Sequence, residues 1–269
     1  MRDRAQRDIK LGWIPFNTLF IREIRRFLKV SGQTILTPMM NSSLYLLIFG
    51  VSLGSQIKLS MDVSYLGFLI PGLVMMSCLN NAFQNSASSV INAKFSGDIE
   101  DFKVAPLASW ELIWAIGLGG VVRGYVVGFV TWVVGQIFFY IYEGQILGVE
   151  HTAWLFYFLT VGAASFSFIG LSAAFWSKNF DQIGALGGFV LLPLIYLGGV
   201  FFSLENLNDF WQGVAAANPL LYFINGVRYG MLGISDVSVM KAAVVSGASL
   251  VFFFAVAVWS LKKGKFSRW

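Results

Sequence analysis

The side chains that most often carry catalysis are scarce in this sequence, which has one cysteine and one histidine among its 269 residues. Cys78 lies in an apolar run and His151 in a short loop, so neither belongs to a disulfide or a metal-ligand cluster. No phosphate-binding G-x-x-x-x-G-K-[ST] loop occurs, because Gly264-Lys265 lacks both the upstream glycine and a following hydroxyl. The motifs HExxH and CxxC are also missing. We therefore expect no enzymatic activity in this chain, and any work that it does must draw energy from another chain.

Polar side chains inside apolar segments are the other candidates for chemistry. Asn81, Gln84, Asn85 and Ser88 are three or four residues apart, so they share one side of a helix. They either line a path for a hydroxylated or amphiphilic cargo or mark where the helix leaves the membrane. Arg123 interrupts another apolar segment, where a charge is costly and indicates a functional site unless the side chain reaches the interface. These five residues are the candidate substrate path.

The elements that position these residues follow from the composition. Apolar residues make up 57% and charged residues only 12% of the chain, about half the charge of a soluble domain. A membrane-spanning helix needs about 20 mostly apolar residues, and the runs here are too long and uniform for the strands of a β-barrel. The sequence therefore predicts an all-α integral membrane protein. Its six expected transmembrane helices lie at 35–54, 65–91, 112–142, 152–176, 183–202 and 242–261.

The placement of the basic residues sets the predicted topology. Of the 19 Lys and Arg residues, eight precede residue 34 and four follow residue 261. Because cytoplasmic segments are enriched in these residues, both termini are expected in the cytoplasm, which requires an even number of crossings. The uncharged stretch 210–227 is broken at Asn218-Pro219, so we expect outer re-entrant half-helices there, with these two residues at the turn. The predicted units are a connecting helix (1–33), a six-helix domain (34–262) and a basic tail (263–269).

Residues 13–29 predict an amphipathic helix on the membrane surface, since apolar and basic residues occupy opposite sides. The apolar side contains Trp13, Phe16, Phe20, Ile24 and Phe27, and the basic side contains Arg22, Arg25, Arg26 and Lys29. The basic side serves either as a topology anchor alone or also as a contact for a cytoplasmic partner. This clustering of cations at a membrane surface explains the high pI without a nucleic-acid partner.

The segment between the second and third apolar helices is short, charged and bounded by Pro106. Its acidic residues would complement the dipole at the start of a short helix, and Ile99 and Phe102 would form an exposed apolar knob. This knob either docks a partner or packs on the chain's own N-terminal helix. The candidate coupling surface comprises Phe95, Gly97, Asp98, Ile99, Glu100, Asp101, Phe102 and Lys103, together with Arg22, Arg25 and Arg26.

Glycine spacing predicts one close helix contact. Gly120, Gly124 and Gly128 recur every four residues and therefore share one face of the third membrane helix. Such a face lets a neighbouring helix approach closely. The neighbour is either another helix of the same chain or a helix of a second copy.

Several of these segments together resemble a known family. The run Phe95-Ser-Gly-Asp-Ile-Glu-Asp-Phe-Lys-Val-Ala-Pro106 is similar to the coupling segment of ABC-2 type transporter permeases. The same family's C-terminal signature resembles Pro193-Leu-Ile-Tyr-Leu-Gly-Gly-Val-Phe-Phe-Ser203, Asn218-Pro-Leu-Leu-Tyr222 and Arg228-Tyr-Gly230. The resemblance covers almost the whole chain. It is closest to bacterial inner-membrane permeases grouped with drug, nodulation-factor and polysaccharide exporters.

This resemblance implies a half-transporter in the bacterial inner membrane. Two copies would pair, and each would dock an ATP-binding subunit through the connecting helix and a cytoplasmic coupling helix at 95–103. ATP and Mg²⁺ would bind to that partner, with no cofactor in this chain. The cargo would be a lipid-linked, glycan or amphiphilic molecule, which the sequence does not name.

Two other functions agree less well with this sequence. A membrane-embedded lipid-modifying enzyme would need paired acid and base residues at membrane depth, which are missing. An ion-coupled secondary transporter would usually carry acidic residues within its helices, whereas Glu143, Asp181, Glu205 and Asp209 all fall in expected loops. No inverted repeat is evident either.

Overall fold

The fold is known from a computed structural model that describes residues 2–54, 63–98 and 107–264, with side chains described from residue 13 onward. Within these ranges the chain forms helices and loops and contains no strand. Its helices are α1 (Arg2–Leu28), α2 (Ser31–Ser52), α3 (Tyr65–Ser96), α4 (Ser109–Glu143), α5 (Thr152–Trp176), α6 (Phe180–Leu197), α7 (Asp209–Ala217), α8 (Pro219–Leu232) and α9 (Val239–Lys263).

Six of these helices, α2 to α6 and α9, are long and apolar enough to cross a membrane, counted over the described residues. The mean hydropathy of their most apolar windows runs from 1.4 to 2.2. Only α-helices and closed barrels satisfy their backbone polar groups within hydrocarbon. The prediction of an all-α membrane protein with six spans is therefore confirmed.

Helix α3 lies at the centre of the bundle, where 83% of its most apolar window is buried. It packs against α4, α5 and α8. The helix begins at Ser64, whose hydroxyl accepts a hydrogen bond from the backbone N–H of Gly67 at 3.2 Å. It ends at Gly97, whose φ of 89° is a left-handed conformation that favours glycine. Polar residues placed on α3 are thus held inside the bundle.

Helices α2, α6 and α9 form the rim. The buried share of the most apolar window is only 28% in α2, 11% in α6 and 22% in α9. Large apolar side chains on these helices are exposed, such as Leu36, Phe189 and Val251. Apolar surface on this scale would be unfavourable in water. It matches the hydrocarbon of a bilayer, as expected for a multi-pass membrane protein.

We call the end of the bundle at which α3, α5 and α9 finish the basic end, because it gathers most of the described cations. Lys94 stabilises this end: its Nζ donates to the carbonyl oxygens of Ala174, Phe175 and Ser177 at 2.7, 2.8 and 3.1 Å. A lysine in this position satisfies carbonyl groups that the end of α5 leaves without helical partners. Trp176 then donates to the Ser260 hydroxyl at 3.1 Å, which ties α5 to α9.

Helix α1 packs against the starting half of α4 at the basic end. Its buried side contains Leu19, Glu23 and Phe27, spaced four residues apart. Of the predicted apolar side, Trp13 is 68% exposed, so part of it faces away from the bundle. Glu23 lies on the side of α1 that faces the bundle. The predicted apolar side of this helix did not include it.

Helix α6 differs from its predicted range, 183–202. It ends at Leu197, because Gly198 follows and Gly199 adopts a φ of 85°. The residues after it, including Phe201, therefore belong to a loop. The Tyr65 hydroxyl on α3 donates to the Phe201 carbonyl at 2.8 Å and holds this loop against the bundle.

Candidate functional site

A groove opens between α1 and the last turns of α3 at the basic end, with a volume of about 730 Å³. It is lined on one wall by Arg22, Arg25, Arg26 and Lys29 of α1, and on the other wall by Ser89, Asn92, Ser96 and Asp98. We call it the docking groove. It brings the three arginines of the predicted coupling surface together with Asp98. An acidic partner segment would suit this largely basic lining.

The other predicted coupling residues are placed around this groove. Phe95 stacks on Phe180 at the start of α6, with ring centroids 5.1 Å apart. Gly97 ends α3, and the Asp98 carboxylate accepts a hydrogen bond from Ser96 at 2.6 Å. The remaining members lie outside the described residues, and the coupling helix at 95–103 stays a prediction. These members are Ile99, Glu100, Asp101, Phe102 and Lys103.

A buried polar network fastens α1 to α3 beside the docking groove. Glu23 is fully buried and forms ion pairs of 3.0 Å with both Arg22 and Arg26. Its carboxylate also accepts a hydrogen bond from Ser89 at 2.7 Å. Glu23 comes close to α4 at Gly119, where an added Cβ would lie 2.5 Å from the Glu23 Cβ. A buried carboxylate is stable only when charges and donors surround it in this way.

Arg26 extends this network further along α3. Its guanidinium donates to the Ser88 hydroxyl at 2.8 Å and to the Asn85 side-chain oxygen at 3.0 Å. Asn85 is fully buried. The structure thus directs these two residues of the predicted substrate path toward α1.

The other three residues of the predicted path meet in a cavity of about 290 Å³ between α2, α3, α4 and α6. We call it the central cavity. Asn81 and Gln84 line it from α3, and Arg123 lines it from α4. Further polar lining comes from Gln33, Thr37, Asn41, Tyr45, Ser77, Asn80 and Tyr196. The cavity is therefore polar although it lies among helices long enough to span a membrane.

Two tyrosines close the central cavity on the side of α2 and α6. The hydroxyls of Tyr45 and Tyr196 are 3.1 Å apart and share a hydrogen bond. On the side toward the basic end, a second groove of about 280 Å³ runs between α3 and α6 as far as Phe180. It shares Asn80, Gln84 and Leu192 with the central cavity. The two spaces form one route from the basic end toward Arg123.

The three repeated glycines of α4 all face α3 of the same chain. An added Cβ at Gly120 would meet the carbonyl oxygen of Ala82 at 2.9 Å, and one at Gly124 would meet that of Cys78 at the same distance. At Gly128 the nearest atom would be the Cys78 Cβ, at 3.5 Å. The close approach therefore occurs within one chain.

The predicted break at Asn218-Pro219 separates α7 from α8. The Asn218 side chain accepts from the backbone N–H of Leu220 at 3.1 Å and donates to the Leu194 carbonyl at 2.6 Å. Pro219 occupies the first turn of α8, where its missing N–H costs nothing. The turn thus joins α8 to α6, while the entry of these helices from the outer face stays a prediction.

Sequence reasoning also missed an ion pair in which both side chains are fully buried. Arg228 is fully buried in α8 and forms a 3.5 Å ion pair with the buried carboxylate of Asp236. It also donates to the Gly199 carbonyl at 2.7 Å and stacks over the Phe68 ring at 3.7 Å. Burial lowers the pKa of Arg228 to about 10, against the opposing effect of Asp236, so the guanidinium is charged at neutral pH. One signal in the sequence could have indicated this burial: the run 210–227, which ends just before Arg228, contains no charged residue.

The remaining reactive side chains have structural positions. Cys78 is buried on α3 beside Gly124. His151 stacks on Tyr229 of α8, with ring centroids 4.5 Å apart. Across the described ranges, no three His, Cys, Asp or Glu side chains converge as metal ligands.

Comparison with known proteins bears on these sites. The profile of the ABC-2 type transporter family matches residues 15–232. The inner membrane transport permease YadH of Escherichia coli K12 is 40% identical over 253 residues, covering 93% of this chain and 95% of YadH. Nodulation protein J of Neorhizobium galegae is 24% identical, with 92% of each chain covered.

The daunorubicin resistance ABC transporter permease protein DrrB1 of Streptomyces coeruleorubidus is 25% identical over 82% of this chain and 77% of its own length. The family profile covers the second half of α1, the central cavity and α8. With six helices long and apolar enough to span a membrane, a matching family profile and a 40% identical permease as a relative, the chain belongs to the ABC-2 type transporter permease family.

Proposed function

We propose that this chain is the membrane subunit of an ATP-driven exporter in the bacterial inner membrane, energised by a separate ATP-binding subunit. The observation that carries the proposal is the docking groove, where basic residues of α1 face Asp98 beside the predicted coupling segment. The sequence holds no phosphate-binding loop of its own. YadH, an inner membrane transport permease by name, supports the location, and DrrB1, an ABC transporter permease by name, supports the kind of energy source.

The proposed cycle uses the contacts between α1 and α3. Two copies of the chain would each dock one ATP-binding subunit in the docking groove, with the basic end in the cytoplasm. Closure of the ATP-bound subunits would push on α1, and the network of Glu23, Arg26 and Asn85 would pass this displacement to α3. Because α3 lines the central cavity, its movement would change access for a lipid-linked, glycan or amphiphilic cargo.

A charge reversal on the groove tests the proposal. The tagged chain is purified from membranes of its source organism, and Mg²⁺-dependent ATP hydrolysis is measured in the purified material. Arg25 is exposed on the groove wall, so Arg25→Glu should leave folding intact but repel an acidic partner. We expect the variant to retain less than about a tenth of the ATPase activity, as for the loss of a close interfacial charge pair.

Lys241→Glu provides the matched control, because Lys241 is exposed at the opposite end of the bundle. It should keep the activity of the unmodified chain. Purified chain without Mg²⁺-dependent ATPase activity, or equal activity in both variants, would contradict docking in this groove.

A further inference from the structure

The central cavity contains one cation, Arg123, which forms no ion pair within the part of the chain that the structure describes. Among the residues that the structure describes, none of the side chains lining the cavity is acidic. The Nε of Arg123 is buried and has no hydrogen-bond partner within the described chain. A buried donor without a partner carries a desolvation cost. A bound anion can therefore balance the charge of Arg123 and accept a hydrogen bond from its Nε.

The Arg123 side chain is partly buried in the wall of the central cavity. A snorkelling arginine extends its guanidinium into water or among headgroups at the interface. Here Arg123 lines the central cavity together with Asn81, Gln84 and Tyr45, and its Nε is shielded from solvent. The lining of the central cavity thus places one positive charge among neutral polar groups.

The lining chemistry selects the kind of ligand. A guanidinium binds phosphate through several N–H groups at once. The amides of Asn80 and Gln84 and the hydroxyls of Tyr45 and Tyr196 add neutral donors around it. A cationic group would be repelled at this position. The complementary ligand is an anion with several acceptor oxygens.

The size and surroundings of the cavity indicate the rest of the ligand. A volume of about 290 Å³ holds about ten water molecules, which is enough for a headgroup but not for long acyl chains. Leu192 lines both the cavity and the groove between α3 and α6, and the adjoining outer surface of α6 exposes Phe189. An apolar tail could lie along that surface while the headgroup reaches Arg123.

We propose that the central cavity binds the phosphate group of an anionic ligand through Arg123. The inference rests on the proposed function, since the ligand would be the exporter's cargo. A phospholipid headgroup and free phosphate share this chemistry, and the experiment below distinguishes these two sources.

The test compares two lipids that differ only in phosphate. The full-length chain in neutral detergent is titrated with phosphatidic acid or with diacylglycerol of the same acyl chains, and bound lipid is counted by native mass spectrometry. We expect phosphatidic acid to bind at least about tenfold more tightly, in line with a hydrogen bond to a charged group. Equal binding of the two lipids would overturn the proposal without any substitution.

Three variants assign the preference to Arg123. Arg123→Gln should abolish it, and Arg123→Lys should keep most of it, because a lysine still presents a positive charge. Lys262→Gln removes one exposed cation at the basic end and should leave the preference unchanged. A preference that survives in Arg123→Gln, or that Lys262→Gln removes, would overturn the assignment.

Competition with inorganic phosphate identifies the source. Displacement of phosphatidic acid by inorganic phosphate in the unmodified chain but not in Arg123→Gln would assign free phosphate as a ligand. Retention of the lipid at saturating phosphate would assign the lipid headgroup. The lipid titration does not need the ATP-binding subunit. If the chain shows no preference for phosphatidic acid but copurifies with ATPase activity, only this inference is contradicted. Intact preference without any associated ATPase contradicts only the proposed function.

Discussion

The guanidinium of Arg26 on α1 donates from Nη2 to the backbone carbonyl oxygen of Asn85 on α3 at 2.6 Å. This bond joins two residues that the sequence assigned to different roles, Arg26 to partner docking and Asn85 to the substrate path. Because Arg26 also lines the docking groove, a single side chain contacts both the proposed partner surface and the central helix. The following predictions test this arrangement and the other buried polar contacts.

Removing the carboxylate at the centre of the network should destabilise the chain. Glu23→Gln deletes the charge that pairs with Arg22 and Arg26, whose side chains are 46% and 26% exposed. Losing hydrogen bonds to a charged group typically costs about 1.5–3 kcal/mol. We expect a clear drop in the thermal unfolding midpoint of the detergent-solubilised protein. Arg25→Gln, an exposed neighbour on the same helix, serves as control and should change stability by less than about 0.5 kcal/mol.

The double variant Glu23→Gln/Arg26→Gln refines this test. If the two residues act through one network, its loss of stability should be smaller than the sum of the single losses. Additive losses would show that the ion pair does not couple them.

The glycines of α4 offer a graded comparison. At Gly124 an added methyl would approach the Cys78 carbonyl oxygen to 2.9 Å, whereas at Gly128 it would make an ordinary contact at 3.5 Å. Gly124→Ala should therefore cost about 1–3 kcal/mol through overpacking. Gly128→Ala should be neutral or slightly stabilising, since alanine favours helix by up to about 1 kcal/mol over glycine. Equal unfolding midpoints for the two variants would argue against the close packing of α4 on α3.

The buried pair of Arg228 and Asp236 should stabilise the end of the bundle opposite the basic end. Asp236→Asn leaves Arg228 charged and buried without its ion-pair partner, and we expect a loss of about 3–5 kcal/mol. Asp209→Asn is the control, because Asp209 is exposed at the start of α7. The thermal unfolding midpoints of the two variants make the comparison. A midpoint for Asp236→Asn equal to that of the control would contradict a stabilising pair.

Lys94 should control the local stability of the end of α5. Lys94→Met removes three hydrogen bonds to carbonyl oxygens there while keeping most of the apolar stem. Amide hydrogen exchange in the last turn of α5 should become faster, while exchange in the middle of the helix should stay unchanged. Lys178→Met, at a nearby exposed residue, should have no effect, and an equal response in both variants would exclude the capping role.

The membrane class and the number of spans could be predicted because they depend on long apolar runs, which a single sequence shows directly. Arg123, Asn81 and Gln84 could be identified for the same reason, since polar residues stand out in such runs. The ends of the helices were less certain: α6 stops at Gly198 and Gly199 although apolar residues continue. Hydropathy does not register the left-handed backbone at Gly199.

The buried ion pairs could not be predicted from composition. Glu23 lies in a stretch that was predicted to form an amphipathic helix on the membrane surface, yet it packs into the bundle because Gly119 leaves room for it. Arg228 and Asp236 are eight residues apart and meet only because the chain turns between α8 and α9. Such pairs depend on which helix faces come together, and a helical wheel drawn for one helix does not contain that information.

The central claim is that the basic end, with the docking groove, faces the cytoplasm where ATP is available. Its most direct test is labelling of single cysteines with a membrane-impermeant maleimide in intact spheroplasts, on a Cys78→Ser background. Lys178→Cys reports on the basic end, and Gln145→Cys reports on the loop after α4 at the opposite end. The account predicts labelling of Gln145→Cys in intact cells and of Lys178→Cys only after permeabilisation. Labelling of Lys178→Cys in intact cells, with Gln145→Cys protected, would contradict it.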